Sequence, residues 1–168
     1  MIMKSVIDIC TRKSSDGRRI FVDRMLISID DVILGSEDAT CLSDLLVGEI
    51  DRLMLNIEKQ KDNINFARSI FDQRMPPEYF FQLLHNACWV EGDWPGSLGA
   101  SAVEPSVYIG LPGGNEIFDA DEVYFVVVDS MDGILLCRKR GGGELVMLKV
   151  NVHDYVDIWR RAKSEIIS

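Results

Sequence analysis

Residues 123–128 read VYFVVV, a continuous apolar run in the last third of the chain. A short run of β-branched and aromatic residues predicts a central strand that is covered on both faces. The pair Asp132-Gly133 is typical of a tight hairpin turn, and it leads into ILLC at residues 134–137. Three glycines at 141–143 then turn the chain into a further strand at 145–150. Because hairpins join antiparallel strands, this stretch predicts an antiparallel sheet.

The first third of the chain carries the same kind of pattern. Apolar and polar residues alternate over 5–12 and over 19–29, and a short apolar run covers 32–34. Alternation with a period of two predicts strands that bury one face. The turn residues at 14–17 and the pair Asp30-Asp31 predict hairpins between these strands.

Helices are predicted between the two groups of strands and at the end of the chain. Apolar residues recur at helical spacing from Leu42 to Ile57, which predicts a helix that ends near Asp62-Asn63. Further helices are predicted over residues 64–71, from Pro76-Pro77 onward, and after Asn151, a good helix cap. This order predicts an α+β fold: an antiparallel sheet of about six strands with three to four helices packed against it.

Residues 91–115 form an unusual segment, because nine of them are Gly or Pro. This composition predicts a long loop, with a short strand at 107–109. Loops of this length inside a compact domain are usually functional or mobile. A length of 168 residues predicts a single domain over 1–168 that carries this loop.

The net charge of −9 is unevenly distributed along the chain. The segment from Met75 to Cys137, called here the basic-free segment, has no Lys or Arg. An acidic chain cannot neutralise phosphates, so nucleic acids and anionic membrane surfaces are not expected partners. No apolar run reaches ~18 residues, so no membrane-spanning helix is predicted. The acids of the basic-free segment are Glu78, Glu91, Asp93, Glu104, Glu116, Asp119, Asp121, Glu122, Asp129 and Asp132.

The cysteines indicate a cellular location. They are widely spaced and have apolar neighbours, which is typical of reduced core thiols in a cytosolic protein. The first residues lack the apolar stretch of a signal peptide. A cytoplasmic location is therefore expected. The four cysteines are Cys10, Cys41, Cys88 and Cys137.

No motif predicts a catalytic residue, a metal ion or a cofactor. His85-x-x-Cys88 is half of a zinc site without a second half, so His85 is expected to be a partly buried helix residue. His153 is expected to be exposed. The chain has no G-x-S-x-G motif. The cations at 138–140, which precede three glycines, predict solvated charges at a hairpin tip rather than a phosphate-binding loop.

The acids between residues 116 and 129 have three interpretations. They can form a solvated surface, a protein-binding face, or a metal or catalytic site. Trp89, Trp94 and Tyr108 lie in or beside the long loop. Trp and Tyr are typical anchors of protein interfaces. Packing of these rings onto the protein's own core is the equal alternative.

Several segments together resemble a known family. Residues 25–35 read MLISIDDVILG, and LSDLL at 42–46 opens the following helix. With the strands at 124–128 and 134–138 and the helix at 155–166, they resemble immunity protein family forty-two of bacterial polymorphic-toxin and contact-dependent growth inhibition systems. The resemblance implies tight, non-covalent neutralisation of the C-terminal domain of a cognate toxin, without catalysis. A nuclease is the expected type of toxin.

The predicted toxin-binding site is an acidic surface with one aromatic residue. A nuclease presents a basic cleft, which such a surface would complement. We expect the loop and turn acids to gather on one side of the sheet. The alternative is a small hydrolase or a ligand-binding protein with a pocket under the 91–115 loop that contains His85 or Asp93. The predicted site residues are Glu91, Asp93, Trp94, Glu116, Asp119, Asp121, Glu122 and Asp132.

Overall fold

The computed structural model describes residues 3–72, 74–98 and 103–168; Gly99, one of the loop glycines, lies outside these ranges. Within them, seven strands form two antiparallel sheets, and four α-helices accompany them. The α+β prediction is confirmed. The strands divide into a first sheet of four and a second sheet of three.

The first sheet consists of β1 (Ser5–Lys13), β2 (Ile20–Ile29), β3 (Val32–Ser36) and the short β4 (Cys41–Leu42). Its order is β1-β2-β3, and β4 also pairs with β2. Ile29 pairs with Val32, so Asp30 and Asp31 form the predicted two-residue turn. Asp30 has a φ of 50°, a conformation that Asp adopts more readily than most residues.

The second sheet consists of β5 (Asp121–Val127), β6 (Asp132–Lys139) and β7 (Val146–Asn151), in that order. Every residue of β5 is buried, as the apolar run predicts, but β5 lies at the edge of the sheet and not at its centre. The predicted strand at 107–109 does not form. A 3₁₀ turn (Pro105–Tyr108) stands there instead, followed by a single bridge from Ile109 to Tyr124.

The helices are α1 (Ser43–Lys61), α2 (Ile64–Ile70), α3 (Pro77–His85) and α4 (Val152–Ile167). A π-helical turn continues α3 through Asn86–Val90. The side chain of Asn151 accepts hydrogen bonds from the backbone N–H groups of His153 and Asp154, which confirms the predicted cap of α4. Among the described residues, no helix combines the length and hydrophobicity that a membrane span requires.

Two apolar cores lie on opposite faces of the second sheet. Alternation along β5 directs Val123, Phe125 and Val127 into the first core, which the first sheet, α1 and α4 complete. Tyr124 and Val126 point into the second core, where α2, α3 and the residues before β5 pack. One core therefore joins both sheets to α1 and α4, and the other packs α2 and α3 onto the opposite face of the second sheet.

Gln60, near the end of α1, closes the free edge of β5. This side chain is buried, and its Nε2 donates to the carbonyl oxygens of Phe125 and Val107, each at 2.8 Å. Its Oε1 accepts from the N–H of Val127, also at 2.8 Å. Gln60 therefore takes the place of a neighbouring strand residue and satisfies backbone groups that water cannot reach.

Replacement of Gln60 with Leu should destabilise the fold strongly. The change keeps an apolar stem of similar size but leaves three buried backbone groups without a partner. We expect a loss of about 3 kcal/mol or more in the free energy of unfolding, measured by urea denaturation. Gln82→Leu on the exposed side of α3 is the matched control and should cost less than about 0.5 kcal/mol. Equal stability of the two variants would contradict this role of Gln60.

Asp121 joins the two sheets at the edge of β3. Its buried carboxylate accepts from the N–H of Gly35 at 2.7 Å and forms an ion pair with Lys139. Lys139 in turn donates to the carbonyl oxygen of Ile33 at 3.0 Å. A side-chain pair from the second sheet therefore satisfies two outward-facing groups of β3, as Gln60 does for β5.

Asp121→Ala should weaken this connection. It removes a buried acceptor and leaves the N–H of Gly35 unpaired, so we expect a loss of about 2–3 kcal/mol in unfolding free energy. Asp157→Ala breaks an exposed ion pair with Arg160 and is the matched control, with an expected loss below about 0.5 kcal/mol. Urea denaturation at neutral pH compares the two. A loss for Asp121→Ala no larger than for the control would show that the connection contributes little.

Candidate functional site

The predicted site residues differ widely in accessibility. Four acids are exposed: Glu91, Asp93, Glu116 and Asp119. Asp132 is partly buried and lies within reach of Lys149. The other three residues, Trp94, Asp121 and Glu122, are buried.

The expectation that these acids gather on one side of the sheet is wrong. Asp121 and Glu122 are neighbours in β5, so their side chains point to opposite faces. Asp121 contacts the first sheet, and Glu122 contacts α3. Asp132 lies at the other end of the β5–β6 pair, about 20 Å away at roughly 3.3 Å per residue. The two-residue period of a strand separates acids that adjoin in sequence.

Trp94 is part of the second core and not of the surface. Its Nε1 donates to the carbonyl oxygen of Val103 at 2.6 Å, and its ring packs edge-on against Phe66 and Tyr108. Trp89 is the accessible tryptophan, with 51% of its surface exposed. The sequence contained a signal for this difference, because Trp89 follows the buried Ala87 by two residues and so leaves the apolar face of the helix.

Glu122 is the centre of a buried polar network. Its Oε1 accepts from the hydroxyl of Tyr124 at 2.7 Å and is hydrogen-bonded to Nδ1 of His85. The indole N–H of Trp89 donates to the Tyr124 oxygen at 3.1 Å. Burial, and then the bond to Glu122, raise the pKa of Tyr124 well above its ordinary value. This network therefore holds Trp89 in place while leaving its ring accessible.

The cysteine beside this network is not prepared for nucleophilic chemistry. Burial, and then the negative charge of Glu122, raise the pKa of Cys88 to about 12, so its thiol is protonated at neutral pH. Its Sγ donates to the carbonyl oxygen of Pro105. His85 is partly buried, as predicted, and faces Glu122. In the described parts of the chain, no group of three or more His, Cys, Asp and Glu residues is arranged to hold a metal ion.

A cavity of about 110 Å³ lies beneath residues 109–115 of the long loop. Its walls include apolar residues of the loop and the aromatic rings of Trp89 and Tyr124. Asp119, Asp121, Glu122 and Arg140 supply its charged groups. Gly110 lies against β5 so closely that a β-carbon would meet the Phe125 backbone N at 3.1 Å, which favours glycine here. The loop therefore covers β5 and leaves this space at the start of the strand.

Two further depressions lie nearby, one beside this cavity and the other beside the first depression. One runs between the loop and α1, shares Trp89 and Gly113 with the cavity, and contains Glu49 and Arg52. The other contains Asp93 and Glu104 and shares Ser106 with the first depression. We call Trp89, Val90, Glu91, Asp93 and Asp119 the Trp89 surface. It retains three of the predicted site residues.

The prediction that the cations at 138–140 are solvated charges at a hairpin tip is wrong for Arg138 and Lys139, whereas Arg140 lies in the turn and is exposed. Arg138 and Lys139 belong to β6, and the register places Arg138 beside Glu122. Arg138 forms an ion pair with Glu78 and lies over the ring of Phe81. Arg140 lies over the ring of Trp89 at 5.4 Å from its centroid. The antiparallel pairing of β6 with β5 therefore places these cations beside residues of the basic-free segment.

Comparison with known proteins yields no relative. No family model matches the chain, and no curated protein or solved structure is significantly similar to it.

The four cysteines should differ in reactivity. Cys10 is exposed, contrary to the prediction that all four are core thiols, whereas Cys41 and Cys137 are buried and Cys88 is half-buried. Burial raises the pKa of Cys137 to about 12. We expect iodoacetamide at pH 8 to label Cys10 at least about 100-fold faster than the other three. Mass spectrometry measures the labelling, with Cys10→Ser and a urea-unfolded sample as controls. Rapid native labelling of Cys88 would contradict the structure.

Proposed function

We propose that this protein is a cytoplasmic immunity protein that neutralises the C-terminal domain of a cognate bacterial toxin by tight, non-covalent binding. The Trp89 surface is the proposed interface. The resemblance to immunity protein family forty-two supports the class of function. No catalytic step is part of the proposal.

The exposure of Trp89 and Val90 is the observation that carries this proposal. Their exposed fractions are 51% and 63%, and they are adjacent at the end of the helical segment. Large apolar side chains that are accessible and held in place by internal bonds are typical anchors of protein interfaces. Trp89 has this restraint, because its N–H is bonded to Tyr124. A fixed ring loses little conformational entropy when a partner covers it.

The charges around Trp89 indicate the kind of partner. Glu91, Asp93 and Asp119 are exposed, and Glu49 lines the adjoining depression. Complementary charge accelerates association with a basic protein from ~10⁵–10⁶ to as much as ~10⁸–10⁹ M⁻¹s⁻¹ at low salt. A nuclease domain with a basic cleft is therefore the type of toxin that this surface suits. Asp121 and Glu122 have internal roles and are not part of the proposed contact.

Trp89→Ala should weaken capture of the toxin domain. The experiment co-expresses the protein with the C-terminal domain encoded directly upstream of its gene and measures the Kd by surface plasmon resonance. We expect the Kd to rise by about 30-fold or more, since an interface anchor contributes about 2 kcal/mol or more. Val6→Ala, which truncates an exposed apolar residue of β1, is the control and should leave the Kd unchanged. The proposal fails if wild-type protein captures no toxin domain or if Trp89→Ala binds normally.

The exposed acids should govern the association rate. The triple variant Glu91→Gln, Asp93→Asn and Asp119→Asn should bind more slowly, and its rate should depend less on salt. The matched control neutralises three exposed acids elsewhere, Asp31→Asn, Asp38→Asn and Glu165→Gln. Association rates at ~20 and ~200 mM NaCl distinguish a local effect from one of net charge. Equal slopes for both triple variants would show that only the net charge matters.

A ligand-binding protein is the second candidate, and the cavity beneath residues 109–115 is the observation that favours it. Its residues include Glu122, which is bonded to His85, although neither His85 nor Asp93 lines it. Native mass spectrometry of the purified protein tests this candidate. A small molecule that is retained by wild-type protein and lost from a cavity variant would support it over toxin neutralisation.

A further inference from the structure

We propose that the cavity beneath residues 109–115 binds one alkylguanidinium or alkylammonium group, the charged end of an Arg or Lys side chain. This inference deepens the proposed function, since the partner protein would supply that side chain. The preference of the cavity for a cation depends only on its own lining.

Glu122 provides the first part of the argument. It is 9% exposed, and both of its hydrogen bonds go to Oε1. Within the described residues, Oε2 accepts no hydrogen bond, although Glu122 lines the cavity. Oε2 keeps some access to solvent, and a cationic N–H that reached it through the cavity would be the strongest donor that proteins offer to a carboxylate.

Asp119 provides a second carboxylate at the same cavity. Its side chain is exposed and forms no ion pair with any cation in the described part of the chain. Asp121 also lines the cavity but is already paired with Lys139. An incoming cation would therefore meet two carboxylates with free oxygen atoms, one protected and one at the surface.

The apolar part of the lining suits the stem of a long side chain. Ile109, Leu111 and Phe118 lie on the cavity wall with the rings of Trp89 and Tyr124. The methylene groups of Lys and Arg pack on such surfaces while their charged ends find polar partners. The volume of about 110 Å³ is several times the ~10–15 Å³ that a cavity needs, on the same measure, to hold one water molecule, so it admits the end of a side chain.

Arg140 already shows that a guanidinium fits against Trp89. Its Cζ lies 5.4 Å from the ring centroid, within the range of a cation–π contact. Among the residues that the structure describes, Arg140 is the one cation that lines the cavity, against the carboxylates of Asp119, Asp121 and Glu122. It would repel an incoming cation, so its removal should strengthen binding. An anion site would require the opposite response.

The test uses n-butylguanidinium as the probe and n-butylurea as its neutral control of the same shape. Two-dimensional ¹H–¹⁵N spectra follow the indole N–H of Trp89, assigned by its loss in Trp89→Phe. We expect a saturable shift with a Kd of about 1 mM for n-butylguanidinium, and none for n-butylurea. A shift that does not saturate, or an equal response to both compounds, would overturn the inference.

Three variants distinguish binding of the probe in the cavity from a general effect of net charge on its Kd. Asp119→Asn should raise the Kd of the probe about fivefold, and Arg140→Gln should lower it. Glu165→Gln, which neutralises an exposed acid on α4, should leave the Kd unchanged. All three positions are exposed, so the variants should fold normally. An unchanged Kd in Asp119→Asn, or weaker binding in Arg140→Gln, would contradict a cation site.

These titrations contain no partner protein, so their outcome is independent of toxin capture. If the probe binds and no toxin domain is captured, the cation site stands and the proposed function fails. If the toxin domain is captured but the probe does not bind, the inference about the cavity alone is overturned.

Discussion

The free edge of β5 is the constraint on which much of this structure depends. All seven residues of the strand are buried, yet in the described ranges of the chain no strand lies on its outer side. Unpaired backbone groups in that position would be costly, because water cannot reach them. Gln60 and the N–H of Gly110, which donates to Val123 at 2.8 Å, satisfy them instead. These bonds hold the end of α1 and the segment before β5 against the strand.

The position of the candidate site follows from the way in which Gln60 and Gly110 satisfy the edge of β5. The segment that closes the edge of β5 continues into residues 111–115, which cover the start of the strand and leave the cavity beneath them. Trp89 borders the cavity because the hydroxyl of Tyr124, which is itself bonded to Glu122, accepts a hydrogen bond from its indole N–H. Trp89, the central residue of the proposed interface, is therefore attached to a buried strand through Tyr124. Such attachment restricts its motion before a partner binds.

Much of the fold could be predicted because its signals are local. The alternation along β2, the Asp30-Asp31 turn, the helical spacing of α1 and the Asn151 cap each involve residues close in sequence. The division into two sheets could not be predicted this way. The apolar run of β5 indicates burial on both faces but is silent about its edges, because a glutamine 65 residues away closes one of them. The burial of Trp94 likewise depended on distant partners such as Phe66 and Tyr108.

The sequence by itself determined the α+β class, the approximate extent of most strands and helices, and a segment of residues 75–137 without basic residues. The tertiary structure decided which acids of that segment are available. It buried Asp121 and Glu122 on opposite faces of one strand. The pairing of β6 with β5 also placed Arg138 and Lys139, and the following turn placed Arg140, beside residues of that segment. The physical reason is that composition and period are properties of neighbouring residues, whereas accessibility and charge pairing arise from contacts between distant ones. The bond between Gly35 and Asp121, 86 residues apart, is one such contact.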